Sequence, residues 1–324
     1  MTILITGGAG FIGSTLTQRL LNEGHVVLVV DNFNNYYDPA LKWQNVEAFR
    51  ESPNFFLFEG DIRHQPFLQE LFRNYAVDAV VHLAGLAGVR ASLQNPTSYF
   101  DHNLTGTSVL LEAMRMAGID RFVFASSSSV YGERRRDRGP FQESDRTDAP
   151  VSPYALSKRA AELLCYQHHH LYGLNVYCLR LFTVYGPRQR PDMAISRFIH
   201  QLFMEEKISL FGDGSSQRDY TYVDDIVAGI VRASERVEGY ELINLGSAAP
   251  ISLRNLLSLL ENITNQHALV EQLAAQPGDV PYTYASIDKA RRLLDYSPRT
   301  DLREGLRQMV AHYETVYAHS SLTR

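Results

Sequence analysis

The sequence predicts an α/β protein built on a doubly wound parallel sheet, with a smaller α/β lobe toward the C-terminus. In the first half of the chain, short apolar runs alternate with helical patterns, as expected of consecutive β-α-β units. These runs are apolar throughout and do not alternate with polar residues, which is typical of strands covered on both faces. The length of 324 residues suggests about two domains.

Each element follows from one of these runs. The predicted strands are Thr2–Thr6, Val26–Val30, Phe55–Glu59, Ala79–Leu83, Phe122–Ala125 and Val176–Leu179, with Glu241–Leu245 as a further candidate for the same sheet. Helices between them include Gly13–Asn22, Thr105–Ala117 and Tyr154–Tyr172. From Gly186 onward, prolines and glycines separate shorter elements. We therefore expect a first domain over residues 1–185, to which 222–248 return, and a second lobe over 186–221 and 249–324.

A glycine-rich loop at 7, 10 and 13 follows the first strand and opens the first helix. Glycines there permit a tight turn and let backbone N–H groups approach a pyrophosphate at the helix N-terminus. Asp31 ends the second strand, where a carboxylate accepts hydrogen bonds from a ribose diol and repels a 2′-phosphate. The pattern predicts a Rossmann-type dinucleotide site that prefers NAD to NADP.

Tyr154 and Lys158 lie one helical turn apart, on one face of their helix. A phenol has a pKa of about 10, and a nearby ammonium favours the phenolate. The pair therefore suits removal of a hydroxyl proton while hydride leaves the same carbon for a nicotinamide. The serine run 126–129 leaves a strand at its carboxyl end, where a hydroxyl can exchange a proton with Tyr154. Together they predict alcohol–ketone redox chemistry.

Composition excludes several other classes. The net charge of -5 gives no electrostatic case for nucleic-acid binding, and no apolar run approaches the length that spans a bilayer. Two cysteines, Cys165 and Cys178, support neither a disulfide framework nor a metal cluster. With no targeting segment evident ahead of the first strand, we expect a cytoplasmic location, no membrane or nucleic-acid partner and no metal.

Taken together, the motifs resemble the extended short-chain dehydrogenase/reductase family over essentially the whole chain. The segments that carry the resemblance are Thr6–Gly13, His82–Gly85, the serine run, Tyr154 with Lys158, Arg180–Pro187 and Arg218–Tyr220. Within that family, the stretch from Thr183 to Ala194 is most similar to the UDP-glucuronate 4-epimerases. One departure is Gly85, since alanine is common at that position.

The resemblance implies roles for individual residues. Ser127, Tyr154 and Lys158 are expected to be catalytic. The cofactor-binding residues that we expect are Gly7, Gly10, Phe11, Ile12, Gly13, Asp31, Asn32, Asp61, Ile62, Leu83, Ala84, Gly85, Asn103, Tyr154 and Lys158. The expected substrate-binding residues are Gly88, Val89, Arg90, Ser127, Ser128, Thr183, Arg190, Arg218 and Asp279.

Three of the substrate-binding residues have more specific expectations. Arg218 would bind the UDP pyrophosphate, Asp279 would lie near the uridine ribose, and Arg190 would face the substrate carboxylate. A guanidinium can grip a carboxylate through two parallel hydrogen bonds. The resemblance also implies a homodimer that pairs the helices Thr105–Ala117 and Tyr154–Tyr172.

The leading hypothesis is NAD-dependent C4 epimerisation of UDP-glucuronate to UDP-galacturonate through a 4-keto intermediate. A UDP-glucose or UDP-N-acetylglucosamine 4-epimerase would share every catalytic residue, and a UDP-glucuronate decarboxylase would differ mainly in how the carboxylate is held. A 4,6-dehydratase is disfavoured because Ser128 and Ser129 stand where that branch has an Asp-Glu pair. A non-catalytic dinucleotide-sensing protein would not need the three catalytic side chains.

Overall fold

A parallel sheet dominates the fold. The computed structural model of the protein describes residues 1–134, 136–274 and 278–320, so 275–277 and 321–324 of the expected second lobe lie outside the described residues. The strands are, in chain order, β1 (Thr2–Thr6), β2 (Val26–Asp31), β3 (Phe55–Glu59), β4 (Ala79–His82), β5 (Arg121–Ser127), β6 (Asn175–Leu181), β7 (Thr183–Tyr185), β8 (Lys207–Phe211), β9 (Gln217–Tyr222), β10 (Tyr240–Leu245), β11 (Pro250–Ser252) and β12 (Leu269–Leu273).

Seven of these strands form the main sheet, in the order β10-β6-β5-β4-β1-β2-β3. Every neighbouring pair in it is parallel. All six predicted strands belong to this sheet, and so does the further candidate, which is β10. The predicted fold class is therefore confirmed. The chain order reverses between β1 and β4, and open parallel sheets bind ligands at such a switch point.

The helices connect the strands and cover both faces of the sheet. They are, in chain order, α1 (Phe11–Asn22), α2 (Pro39–Glu47), α3 (Gln65–Asn74), α4 (Val89–Gln94), α5 (Pro96–Phe100), α6 (Gly106–Ala117), α7 (Pro153–Tyr172), α8 (Ala194–Phe203), α9 (Val223–Arg236), α10 (Leu253–Thr264), α11 (Asp288–Leu294) and α12 (Leu302–Ser320). A short π-helical turn, Asp101–Thr105, leads into α6.

Alternate residues of the central strands pack on opposite faces of the sheet. Ile3 and Ile5 of β1 join one buried cluster with Leu16 of α1. Leu4, between them, joins a second buried cluster with Leu110 of α6. Because both faces are covered, no position along these strands favours a polar residue, which explains the unbroken apolar runs.

Helix α7 begins and ends at residues suited to those positions. The Ser152 side chain accepts a hydrogen bond from Ala155 N at 3.1 Å, and Pro153 takes the first helical position, where its missing N–H costs nothing. Gly173 ends the helix with φ of 72°, in the left-handed region that favours glycine. These signals place Tyr154 at the start of the helix and Lys158 one turn further along.

Smaller sheets lie beyond β6. Strands β11, β9 and β7 form a three-stranded sheet, and β12 pairs with β8 in parallel. Strand β7 carries Thr183 and β9 carries Arg218, so this region supplies side chains of the expected substrate site. Across residues 1–134, 136–274 and 278–320, the helices are all too short or too polar to cross a membrane.

Candidate active site

A cavity of about 440 Å³ opens at the carboxyl edge of the main sheet, a volume typical of small-molecule sites. Residues from the ends of β1, β2, β4 and β5 line it, together with residues from α7 and β7. The predicted site residues that line it are Gly7, Gly10, Phe11, Ile12, Gly13, Asp31, Asn32, Asp61, Ile62, Leu83, Ala84, Gly85, Gly88, Val89, Ser127, Ser128, Tyr154, Lys158, Thr183 and Arg190. The fold thus brings most of the predicted residues together in one cavity.

The glycine loop leaves no room for side chains. Gly7 has φ of +72°, and a Cβ added there would lie 2.7 Å from the backbone nitrogen of Ala84. A Cβ on Gly13 would lie 2.2 Å from the carbonyl oxygen of Gly7. Helix α1 begins at Phe11, so its first N–H groups and the positive end of its dipole lie beside this loop. This cradle fits the pyrophosphate of a dinucleotide.

Asp31 is held firmly at the end of β2 and is only 6% exposed. Its carboxylate accepts hydrogen bonds from Ala9 N at 3.2 Å and from Phe33 N at 2.9 Å. Lys42 Nζ lies 3.5 Å from Oδ1, a pairing that the sequence analysis missed. Burial lowers the pKa of Lys42, and Asp31 opposes that shift. The ammonium offsets part of the repulsion that Asp31 would exert on a 2′-phosphate.

Asn32 and Asp61, two further residues expected to bind the cofactor, belong to a small polar cluster. Asn32 donates to Asp61 Oδ2 at 2.9 Å, and Arg63 Nη2 lies 2.7 Å from the same atom. The Arg63 hydrogen bonds hold the pKa of the Asp61 carboxyl well below its usual range. This side chain therefore stays an acceptor, suited to the hydroxyls or amino group of an adenosine.

Ser127, Tyr154 and Lys158 all line the cavity. Lys158 Nζ donates to the carbonyl oxygen of Ala125 at 2.7 Å, and burial lowers the pKa of this lysine to about 8. Ser127 ends β5, and its side chain is hydrogen-bonded to Tyr154. Burial raises the pKa of Tyr154, while the Ser127 hydrogen bond and the charge of Arg190 lower it. From the sequence, we expected the Lys158 ammonium to lower the Tyr154 pKa. The effect of Arg190 on this pKa was not predicted.

Asn103 lies behind the cavity wall, outside the lining residues. It belongs to the π-helical turn, and its side chain bonds both backbone groups of Leu86, at 2.7 and 2.9 Å. Its Nδ2 also donates to Ser157 Oγ at 3.0 Å. A Cβ on Gly85, whose φ is +153°, would lie 2.8 Å from Asn103 Oδ1, which accounts for glycine at this position.

Arg190 is a cation of the cavity lining, and its charge acts on the Tyr154 phenol. Its Nε and Nη2 form a bidentate pair with Asp192, at 2.9 and 2.8 Å. Nη2 also donates to the carbonyl oxygen of Ala87 at 3.2 Å, and the guanidinium lies 5.0 Å from the ring centre of Tyr36. Neither Asp192 nor Tyr36 was identified from the sequence as a site residue. A guanidinium has five N–H donors, and these contacts use the three on Nε and Nη2, leaving the two on Nη1 for a ligand.

The remaining predicted substrate residues lie outside the cavity lining. Arg90 Nη2 is 2.5 Å from Asp279 Oδ2, and the Arg90 guanidinium lies 4.4 Å from the ring centre of Phe211. Arg218 donates from Nη1 to the carbonyl oxygen of Gln217 at 2.9 Å, and burial lowers its pKa. Arg90 and Asp279 act on the Arg218 charge in opposite senses, so the three side chains form one neighbouring group.

A doubly wound sheet, a glycine cradle and a Ser-Tyr-Lys group lining one cavity together define a dinucleotide-dependent enzyme of hydroxyl chemistry. Residues 3–246 match the model of the NAD dependent epimerase/dehydratase family, and the chain belongs to that family. Within the described residues, no group of three or more His, Cys, Asp and Glu side chains could hold a metal ion.

Several relatives extend over nearly the whole chain. A UDP-glucuronate 4-epimerase of Thermodesulfobacterium geofontis is 46% identical over 95% of this chain and 94% of its own length. The crystal structure of a UDP-glucuronic acid 4-epimerase from Bacillus cereus, in complex with UDP-glucuronic acid and NAD, aligns with a TM-score of 0.92. It is 38% identical and covers 98% of this chain and 100% of that one.

A structural relative with a different substrate also aligns closely. The UDP-glucose 4-epimerase of Thermotoga maritima, solved with UDP-glucose, has a TM-score of 0.88. It is 31% identical over 98% of this chain and 100% of that chain. The fold is thus shared by a relative solved with an acidic sugar and by one solved with a neutral sugar.

Proposed function

We propose that this protein catalyses the NAD-dependent C4 epimerisation of UDP-glucuronate to UDP-galacturonate. The observation that carries the proposal is the guanidinium of Arg190, whose side chain is only 16% exposed and lines the same cavity as Tyr154 and Ser127. A cation beside the catalytic phenol suits a sugar that bears a carboxylate. The relatives named UDP-glucuronate 4-epimerase support this substrate.

NAD, held by the glycine loop, Asp31 and the neighbouring lining residues, would supply a hydride acceptor that later returns the hydride to the opposite face of the sugar. The cradle around Gly7 and Gly13 suits its pyrophosphate. The carboxylate of Asp31, already fixed by two backbone N–H groups, suits a ribose diol.

Tyr154 is proposed as the base that takes the C4 hydroxyl proton, with Ser127 bridging the phenol and the sugar oxygen. The hydrogen bond from Ser127 and the charge of Arg190 favour the phenolate against the effect of burial. Lys158 supplies a second positive group within the site, anchored on Ala125. The same residues return the proton once the 4-keto sugar has turned its other face.

Arg190 is proposed to protect the intermediate as well as to recognise the substrate. A 4-keto uronate is a β-keto acid, which loses CO2 when the breaking bond aligns with the carbonyl π system. Holding the carboxylate in the ring plane disfavours that alignment. Because Asp192 fills the Nε–Nη2 edge of the guanidinium, we infer that Nη1 makes this contact, together with the hydroxyl of Thr183.

Proton NMR of the products tests the proposal. Purified protein is incubated in parallel with UDP-glucuronate and UDP-glucose, and UDP-galacturonate should form much faster than UDP-galactose. A faster reaction with UDP-glucose would make this a neutral-sugar epimerase, and UDP-pentose as the main product would make it a decarboxylase.

The Arg190→Gln variant tests the carboxylate contact. It should release UDP-pentose as a by-product or lose UDP-glucuronate binding. Arg188→Gln is the matched control, since Arg188 lies on the same loop but donates to Gln18. If Arg190→Gln showed normal kinetics and released no UDP-pentose, Arg190 would not hold the substrate carboxylate.

A homodimer is proposed from the outer face of α7 and its neighbours. Leu156, Leu163 and Tyr166 of α7 are 44%, 52% and 50% exposed, and Met116 of α6 is 58% exposed. Large apolar side chains exposed along one helix are typical of an interface. Pairing these helices with a second copy would bury them.

The division of the chain is also proposed as the sequence predicted it. Residues 1–185 and 222–248 would form the NAD-binding domain, and 186–221 with 249–324 the UDP-sugar lobe. Strand β10 within the main sheet and the separate sheets of β7, β9, β11 and of β8, β12 support this division. A cytoplasmic location stays a prediction.

A further inference from the structure

His82 is a fully buried titratable residue to which the proposed chemistry gives no role. It ends β4, and none of its surface is exposed. Its ring lies between two threonines. Nδ1 is 2.6 Å from Thr6 Oγ1, and Nε2 is 2.9 Å from Thr107 Oγ1.

The neighbours of the two threonines determine where the imidazole proton lies. Thr107 Oγ1 is 2.5 Å from the carbonyl oxygen of Asn103, which can only accept, so the single hydroxyl proton of Thr107 is used there. Thr107 must then accept from His82, and Nε2 carries a proton. On the other side, Thr6 Oγ1 accepts from Ala84 N at 3.3 Å and donates its own proton to Nδ1.

We propose that His82, as the neutral tautomer protonated on Nε2, is a positioning residue that joins the nucleotide cradle to the catalytic helix. On the cradle side, Thr6 immediately precedes Gly7, whose Cα packs against the Ala84 backbone. On the other side, the chain of hydrogen bonds reaches the backbone of Asn103. The hydrogen bonds all point the same way, because Thr6 donates to His82, His82 to Thr107, and Thr107 to the Asn103 carbonyl oxygen.

Asn103 continues the connection to Tyr154. Its side chain donates to Ser157 Oγ at 3.0 Å, and the Ser157 hydroxyl donates to the carbonyl oxygen of Tyr154 at 2.8 Å. The same side chain holds Leu86 in a loop that lines the cavity. A change in the hydrogen bonding of His82 would therefore reach both the glycine loop and the first turn of α7.

The surroundings of His82 favour its neutral form. The rings of Phe122 and Phe124 lie 5.8 and 5.7 Å from the imidazole. Burial and the positive charge of Lys158, the charged group that acts on the ring, lower the pKa of His82 to about 3. The ring should keep one tautomer throughout the pH range in which the protein is folded.

Nitrogen-15 NMR of histidine-labelled, NAD-free protein tests the tautomer directly. The chain has 11 histidines, and a nuclear Overhauser effect from the ring N–H to the Thr107 methyl group identifies His82 without a variant. We expect the proton on Nε2, with no titration from pH 5 to pH 9. A proton on Nδ1, or a charged ring within that range, would overturn the assignment.

Thr107→Val tests the positioning role, which rests on the proposed function, whereas the tautomer does not. Valine keeps the shape of threonine but removes the acceptor for Nε2. We expect about a tenfold weaker affinity for NAD and about a tenfold lower kcat, with the KM for the UDP-sugar changed by less than about twofold. Thr107→Ser, which restores the hydroxyl, should restore both.

The measurements distinguish a positioning role of His82 from a purely structural one, and from an error in the proposed substrate. Thr107→Val with a lower melting temperature but unchanged NAD affinity and kcat would leave His82 a purely structural residue and refute the positioning role. Since NAD affinity is measured by calorimetry without any sugar, a wrong substrate assignment would not affect that arm. The proposed function would instead fail in the product assay of the unaltered protein.

Discussion

Replacing Lys158 with methionine tests the electrostatics of the site through stability alone. The lysine is 6% exposed, and burial lowers its pKa from the usual 10.5 to about 8. In the unfolded chain the ammonium returns to water and regains its ordinary pKa. Methionine has a similar unbranched shape without the charge, so the comparison isolates the cost of holding an ammonium in this cavity.

The sign and size of the effect follow from linkage. Because the folded pKa lies below the unfolded one, the unfolded chain binds more protons between pH 8 and pH 10.5, and stability rises with pH there. Each pKa unit corresponds to about 1.4 kcal/mol. From pH 7 to pH 10, Lys158 should therefore add about 2 to 3 kcal/mol to the free energy of unfolding.

Urea unfolding of the NAD-free protein and of Lys158→Met, at pH 7, 8, 9 and 10, measures this contribution. All other titrating groups are shared, so they cancel in the difference between the two proteins. The free energy of unfolding of the wild type, minus that of the variant, should increase as the pH rises. A difference that stays constant across the four pH values would refute the reasoning.

A direct titration complements the unfolding experiment. The chain has four lysines, Lys42, Lys158, Lys207 and Lys289, so carbon-13 NMR after reductive methylation gives few signals to assign. The signal that Lys158→Met lacks should titrate near pH 8. Titration of that signal above pH 10 would place the ammonium in water and contradict the structure.

Three further substitutions give equally defined outcomes. Asp31→Asn should weaken NAD binding by at least about tenfold in calorimetry, because the ribose diol loses a charged acceptor; an unchanged affinity would contradict the assignment. Glu162→Gln breaks the 2.9 Å ion pair with Arg180, whose side chain is 1% exposed. It should therefore lower the free energy of urea unfolding by about 3 to 5 kcal/mol. A loss below about 1 kcal/mol would contradict this reasoning. Leu163→Glu should convert a dimer to a monomer in light scattering, and a wild-type monomer would exclude the dimer.

The sequence predicted the main sheet well because both of its faces are buried. Strands such as β1 read as continuous apolar runs, and each polar residue at a strand end marks the carboxyl edge, as Asp31 and Ser127 do. Helix α7 was recognisable by the spacing of Tyr154 and Lys158, whereas the start signal of Ser152 and Pro153 was not used. Periodicity and local end signals were enough for these features.

What the sequence could not predict depends on contacts between distant segments. Tyr36 donates to the carbonyl oxygen of Ala87, 51 residues away, and lies beneath Arg190. Lys42 comes from a helix whose composition gives no hint of the Asp31 carboxylate. Since no local pattern encodes such pairings, only the assembled fold reveals which charges the site already contains.

The bidentate partner of Arg190 illustrates the same limit at short range. Asp192 is two residues away, yet loop sequence alone does not show that its carboxylate takes the Nε–Nη2 edge. The expected two-bond grip on a substrate carboxylate becomes a contact through Nη1. The influences on the Tyr154 pKa also depend on the assembled site, because burial raises this pKa while Ser127 and Arg190 oppose the rise.

Deuterium at C4 of the substrate tests the central claim most directly. UDP-glucuronate deuterated at C4 is incubated with the purified protein in ordinary water, without added NAD, and the products are analysed by NMR and mass spectrometry. Removal and return of one hydride predicts UDP-galacturonate that keeps its deuterium at C4. UDP-galacturonate with hydrogen from water at C4, UDP-pentose alone, or unchanged substrate even after NAD is supplied would contradict the account.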